Sequence, residues 1–163
     1  MKNLNLIGSI ILLFIAGACT HQNETADKLN NPEAIKDAIV KANDELLNKG
    51  NLDFADQVFA KEYRGAGPDV IKNMVTNMRG AFPDLQVTIE PIIVDGKRTA
   101  WLRTHTGTHQ GEFAGYAPTG MKVTWETMVI TEYNEDGMVA KEWGVSNIIE
   151  VLQRQRVEEV AIE

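Results

Sequence analysis

The chain has 163 residues, 44% of them hydrophobic and 24% charged, with a formal charge of -7 at pH 7, which suits one compact domain with an ordinary core. Such acidity disfavours nucleic acid and anionic headgroups as electrostatic partners. The lone cysteine, Cys19, excludes an internal disulfide and leaves no thiolate set for zinc or an iron–sulfur cluster.

At the start, "MKNLNLIGSIILLFIAGAC" places Lys2 ahead of an apolar run from Leu4 to Ile15, then small residues up to Cys19. That is the order of a secretory signal peptide, here residues 1–18, with an apolar stretch shorter than the roughly 20 residues of a spanning helix. "IAGAC" resembles a bacterial lipobox, although Ala16 stands where leucine is more typical. The resemblance implies lipidation of Cys19; the plainer reading is an incidental thiol in a discarded leader. A lipidated chain would be held at a membrane of the bacterial envelope by acyl chains rather than by basic residues. Removing the leader takes away Lys2 and no acid, so the formal charge of -7 becomes -8.

Residues 19–31 are polar and carry no apolar period, which predicts a flexible tether. The folded domain is predicted over 32–155. Asn31 and Pro32 make a helix start, a capping side chain followed by a proline whose missing N–H costs nothing there. Ile35, Ala38, Ile39, Ala42 and Leu46 follow at spacings of three and four, and Gly50 closes that helix. Phe54, Val58 and Phe59 suggest a second helix. A third runs from about Pro68 with Ile71, Met74, Val75 and Met78 inward, the methionines reading as core filler rather than ligands. Pro83 ends the helical part.

From Leu85 the period becomes two. Leu85, Val87 and Ile89 alternate with Gln86, Thr88 and Glu90, "DG" at 95–96 marks a hairpin, and Thr99 to Thr108 reads as a strand. Met121, Val123, Trp125, Thr127 and Val129 form the apolar side of a long third strand, and "DG" at 136–137 leads into Met138 to Asn147. The order predicts an α+β domain in which three helices precede a meander of long antiparallel strands. "IIEVLQRQ" reads as a short last helix, and 156–163 as a frayed acidic tail.

Within "EWGVSN", residues 142–147, the side chains of Trp143, Val145 and Asn147 share one strand face, and that face is expected to look into the domain. "AFPDLQVTIE" (81–90), "TGTHQGEFAGYAPTG" (106–120) and "DGMVAKEWGVSNIIEVLQRQ" (136–155) closely resemble the SnoaL-like polyketide cyclase and ester cyclase family, over about residues 34–155. The resemblance implies the cone fold of nuclear transport factor two, cystatin-like, in which helices cover the concave face of a curved sheet and leave a pocket. It also implies a homodimer, and chemistry without metal or organic cofactor. The best-known members close a ring by intramolecular aldol condensation on a polyketide ester. An aspartate is their general acid and base, a task suited to a desolvated carboxylate of raised pKa. That aspartate usually stands four residues after the motif's tryptophan, where this chain has Asn147, an amide with no accessible basic lone pair. Many relatives also carry an "NH" pair in a longer segment before the third helix, whereas "YRGAGPD" here is short and lacks histidine.

The catalytic candidates are therefore Asn147, at the expected acid/base position, and His109, in the "GTHQGEF" block, as a pocket donor or weak base. A histidine that pins the turn by hydrogen bonding is the plainer reading of His109. Trp143, Trp125, Phe113 and Tyr116 are the candidate lining of an apolar ligand pocket, against ordinary core packing. Four strand residues put His105 about 13 Å from His109, too far to share a metal unless a bulge at Gly107 redirects one of them. Arg103 shares parity with Trp101 and His105; it either binds an anionic group or lies on a solvated face. Glu126 and Glu142 are the remaining acids, Glu142 on the face opposite Asn147 and Glu126 on the face opposite Trp125.

Three functions fit these readings. The first is a lipid-anchored SnoaL-like protein whose pocket takes a small hydrophobic or polyketide-like molecule and closes a ring in it without a cofactor. The second is a non-catalytic binding module of the cell envelope. The third is a small hydrolase or isomerase using His109 or another acid.

Overall fold

The computed structural model describes residues 31–160. The predicted leader, the predicted lipidation site at Cys19 and nearly all of the predicted tether lie outside the described residues.

Helix α1, Pro32–Asn43, opens where the Asn31 side chain accepts hydrogen bonds from the amides of Glu33 (3.1 Å) and Ala34 (3.3 Å). Asparagine at this position satisfies amides that the first turn leaves without partners. The helix widens into a π-helical turn over Asp44–Asn48 and ends before Gly50, whose φ of 70° suits a residue without a Cβ. A 3-10 turn at Leu52–Phe54 leads into the four-residue α2, Ala55–Val58, and then comes α3, Asp69–Ala81. Ile71 and Val75 of α3 are buried, with Met74 and Met78 packed beside them.

The sheet is a meander of β1 (Gln86–Asp95), β2 (Arg98–Thr108), β3 (Lys122–Tyr133) and β4 (Val139–Ser146), in the order β1-β2-β3-β4 and antiparallel throughout. Gly96 and Gly137, with φ of 54° and 72°, turn the first and last hairpins at the two "DG" pairs. The last helix, α4, spans Ile148–Val160, so it continues beyond residue 155, where the acidic tail was expected to begin.

The sheet's two faces differ in kind. Trp101, Arg103 and His105 of β2 and Val123, Trp125, Val129 and Thr131 of β3 are buried toward the helices. The inner end is filled by stacked rings: His105 lies on Trp125 (centroids 4.7 Å apart), and Phe82 contacts both Trp125 (4.7 Å) and His109 (5.2 Å). The "GTHQGEF" block is shaped by this packing. A Cβ at Gly111 would come within 2.5 Å of the Gly80 carbonyl oxygen, so only glycine lets the loop after β2 approach the end of α3 this closely.

The outer face carries an apolar band. Ala100, Ile130 and Trp143 are direct cross-strand partners, as are Leu102, Met128 and Val145. Trp143 is 52% exposed and Val145 79% exposed. Trp143 therefore points out of the domain, against the expectation that it lines the interior. The alternation along residues 142–147 is as read from the sequence, but the polar face turns inward and the apolar face outward. A register slip opposite Glu132 and Tyr133 adds a residue to β4, which lets Val139 and Glu142, three positions apart, both face the helices.

Candidate functional site

The interior side chains surround a cleft between α1, α3 and the sheet, enclosing about 70 Å³ of free space. Its walls are mostly aliphatic and aromatic, including Ile39, Leu46, Met74, Val75 and Trp101. Two charged groups enter it: Arg103 from β2 and Glu142 from β4. Pockets for drug-sized ligands run from about 300 to 1,000 Å³, so the space as it stands suits a much smaller molecule.

Glu142 stands opposite Thr131 in the β3–β4 ladder, and Thr131 is itself buried and lines the cleft. The carboxyl group keeps some contact with solvent, yet protein surrounds most of it. Burial pushes its pKa above the ordinary glutamate value, against the opposing pull of the Arg103 and Arg64 guanidinium groups. Arg64 adopts a left-handed backbone conformation, φ 49°, uncommon for a residue with a side chain. Its guanidinium donates to the Glu142 carbonyl oxygen at 3.1 Å, tying the "YRGAGPD" segment to β4. Tyr63, in the same segment, is buried; burial, with the Glu142 charge adding to it, pushes its phenol up to about 12, so it stays a neutral hydrogen-bond donor.

Arg103 is only 8% exposed. Its guanidinium lies over the Trp101 ring, 4.8 Å from the centroid, and its Nε has no hydrogen-bond partner. Burial disfavours its charge, but an arginine remains protonated even so. The solvated strand face considered for Arg103 is thus not where it lies.

The other sequence candidates occupy different places. Asn147 follows β4, and its side-chain oxygen accepts from the Glu126 amide at 2.8 Å while its own amide donates to the Glu126 carbonyl at 3.2 Å. It joins the end of β4 to β3 and starts α4, outside the cleft, because three positions of alternation from Gly144 and the chain's turn into the helix leave it on the rim. His109 is fully buried and stacks on Phe82. Trp125 belongs to the ring stack, and Phe113 packs edge-on against Phe82. Tyr116 and His109 border a separate hollow of about 330 Å³ beneath the loop 115–119. That loop is tied to α4 by Thr119 donating to the Gln155 side chain at 3.3 Å. None of Asn147, His109, Trp143, Trp125, Phe113 or Tyr116 lines the Arg103–Glu142 cleft. Among the described residues no cluster of three or more His, Cys, Asp or Glu side chains is placed to hold a metal ion.

The sequence offered Arg103 as a possible anion binder and Glu142 as a remaining acid without placing them together, and it did not single out Arg64 or Tyr63. The signal for Glu142 was an acid flanked by two residues, Lys141 and Trp143, whose exposure could be judged only with the sheet's orientation known.

The sequence profile of the SnoaL-like polyketide cyclase family matches residues 37–155. The chain belongs to that family. Solved structures with the same fold include TsrD from Streptomyces laurentii, at TM-score 0.70 and 19% identity over 77% of this chain and 96% of that one. AclR from Streptomyces galilaeus matches at TM-score 0.62 and 28% identity, covering 74% of this chain and 80% of its own. A SnoaL-like polyketide cyclase from Agrobacterium tumefaciens matches at TM-score 0.63 and 20% identity, over 78% and 96%. No curated protein matches the chain. The α+β cone expected of a SnoaL-like chain is the fold found, helices first and a four-stranded antiparallel sheet after them.

Proposed function

We propose that this SnoaL-like protein is a cofactor-independent acid–base catalyst that removes a proton next to the carbonyl group of a small molecule, with Glu142 as general base. The observation that carries this reading is the Glu142 carboxylate within the cone, in a cleft shared with Arg103. Glu142 takes the proton from carbon, the C–H electron pair becomes a carbon–carbon double bond, and the carbonyl oxygen becomes an enolate. Arg103 supplies positive potential for the developing negative charge, in a site with little water to weaken it. The enolate then regains a proton from Glu142, or its carbon attacks a second carbonyl of the same molecule, whose C=O π pair moves onto oxygen as an alkoxide that takes the proton from Glu142, closing a ring by aldol addition. A carboxyl group whose pKa is raised by burial is a stronger base toward carbon than one in water. With about 70 Å³ free, the substrate is a small carbonyl compound rather than a multi-ring polyketide ester.

Solvent deuterium exchange into small ketones and β-keto acids, followed by proton NMR, tests this directly. The protein accelerates exchange at the carbon beside the carbonyl, and Glu142→Gln lowers that rate by about 10²–10⁴-fold. An unchanged rate in Glu142→Gln would remove Glu142 from the role.

A second reading, ligand binding without turnover in the cell envelope, is supported by Asn147 at the family's usual aspartate position. It gives measurable binding with no exchange above buffer.

The envelope address is proposed from "IAGAC" alone: Cys19 carries the lipid, and Cys19→Ser moves the protein from the membrane fraction to the soluble one. Unchanged fractionation would mean another anchor. A second copy of the chain is proposed to cover the outer apolar band, as the family resemblance implies and as the exposure of Met128, Ile130, Trp143 and Val145 supports.

A further inference from the structure

We infer that the molecule taken into the cone carries a carboxylate that docks on Arg103, making the substrate class a short-chain oxo acid. This rests on the acid–base reading of the same cleft and names what that reading leaves open.

Buried arginines are ordinarily paired, because a charge removed from water needs a counter-charge or hydrogen bonds to replace what it loses. Arg103 is more than nine-tenths buried, and no hydrogen bond or ion pair joins it to any described residue; its Nε is fully enclosed without a partner. The Trp101 ring beneath it offers a π-face, which holds the guanidinium plane but leaves its N–H groups unused. Glu142 lines the same cleft and its charge acts on Arg103, but no hydrogen bond or direct ion-pair contact joins the two. The second guanidinium acting on Glu142, that of Arg64, donates to the backbone carbonyl of that residue. Arg64 is exposed and outside the cleft, so Glu142 is the one counter-charge there among the described residues, and the Arg103 N–H groups are left without an acceptor in direct contact. Tyr63 and Tyr133, the other titratable side chains in this region, are held neutral by burial.

A ligand carboxylate completes this set. Its two oxygens match the parallel N–H groups of a guanidinium, a geometry that a neutral carbonyl reproduces only in part. With the carboxylate on Arg103, the remainder of a short oxo acid extends toward Glu142, which is where a base must stand to take the proton between carbonyl and carboxylate. The small free volume favours a chain of a few carbons over a ring system.

The test compares acetoacetate with acetoacetamide, which has the same number of heavy atoms and no charge. Binding to the full-length protein is followed by NMR titration, and exchange at the central carbon is measured in deuterated buffer. The wild type binds acetoacetate at least about tenfold more tightly than the amide, the equivalent of one charge-assisted contact. Arg103→Gln abolishes that preference, and Arg103→Lys, which keeps the charge but not the fork, retains part of it. Thermal melts confirm that each variant is folded; should Arg103→Gln fail to fold, the partial loss in Arg103→Lys carries the test. Glu142→Gln keeps the preference while losing exchange. Equal binding of the two compounds, no binding of acetoacetate at millimolar concentration, or a preference unchanged in the folded Arg103 variants would overturn the inference. Exchange surviving in Glu142→Gln would instead count against the acid–base reading and leave the carboxylate preference standing.

Discussion

Glu142 and Trp143 are neighbours in sequence and occupy opposite faces of one strand, the carboxylate in the cleft of the cone and the indole on the outer surface. A shift of one residue in β4 would exchange them, placing an aromatic ring where the base stands and an acid in the middle of the apolar band. The bulge opposite Tyr133 fixes that phase.

The raised carboxyl pKa of Glu142 makes its effect on stability opposite in sign to that of a paired acid. A group whose folded pKa lies above the unfolded one stabilises fully below the unfolded value, and that contribution is lost as pH rises through the folded value. Glu142→Gln is therefore expected to melt at a higher temperature than the wild type at pH 7 to 8, the difference shrinking as pH falls below the ordinary glutamate range. Melting curves by circular dichroism across pH check this. A lower melting temperature for the variant at neutral pH would show that Arg103 and Arg64 outweigh the cost of burial.

His105 contributes in the other direction. Burial, with Arg103 adding to it, pushes its pKa down to about 3 from 6.5. The unfolded chain binds the proton that the folded chain refuses, so stability present above pH 6.5 is lost as pH falls toward 3, by up to about 1.4 kcal/mol for each unit. His105→Leu removes this titrating group and keeps an apolar side chain beside Trp125. The variant should match or exceed the wild type at pH 7 and lose less on acidification to pH 4. Equal acid sensitivity in the two proteins would place the relevant protons elsewhere.

Asn147 has a structural task. Its side-chain oxygen serves the Glu126 amide, a role an aspartate oxygen also fills. Asn147→Asp should fold normally and give no gain in exchange, since position 147 is outside the cleft. Asn147→Ala removes the acceptor and is expected to cost about 1–2 kcal/mol in urea unfolding. Turnover appearing in Asn147→Asp would mean that residue 147 reaches the substrate.

The outer band predicts association. Trp143→Lys sets a charge among Ile130, Met128 and Val145, and should convert a dimer into a monomer by sedimentation, with exchange activity retained because Trp143 is absent from the cleft. A wild-type chain that sediments as a monomer would leave the band to another partner.

Much of the architecture was legible because it follows from local rules. Asn31 caps α1 through its own side chain, glycines turn both "DG" hairpins, and the buried row Val123, Trp125 and Val129 keeps the period of two that marks a half-buried strand. The family was legible because the "GTHQGEF" block meets a packing demand, the close approach of Gly111 to Gly80. The site was not, because alternation tells which residues share a face and not which face is inside. The usual guide, that apolar residues turn inward, fails where a sheet carries apolar residues on both sides.

The sequence by itself determined the order of helices and strands, their approximate limits and the family, all of which depend on periodicity, capping and turn chemistry within a few residues. The tertiary structure alone decided that Glu142, Arg103, Arg64 and Tyr63 meet at one end of the cone while Trp143 and Asn147 do not. That meeting depends on register between strands and on the docking of the 59–65 segment beside β4, including a contact between Arg64 and Glu142, 78 positions apart, whose geometry no local pattern encodes.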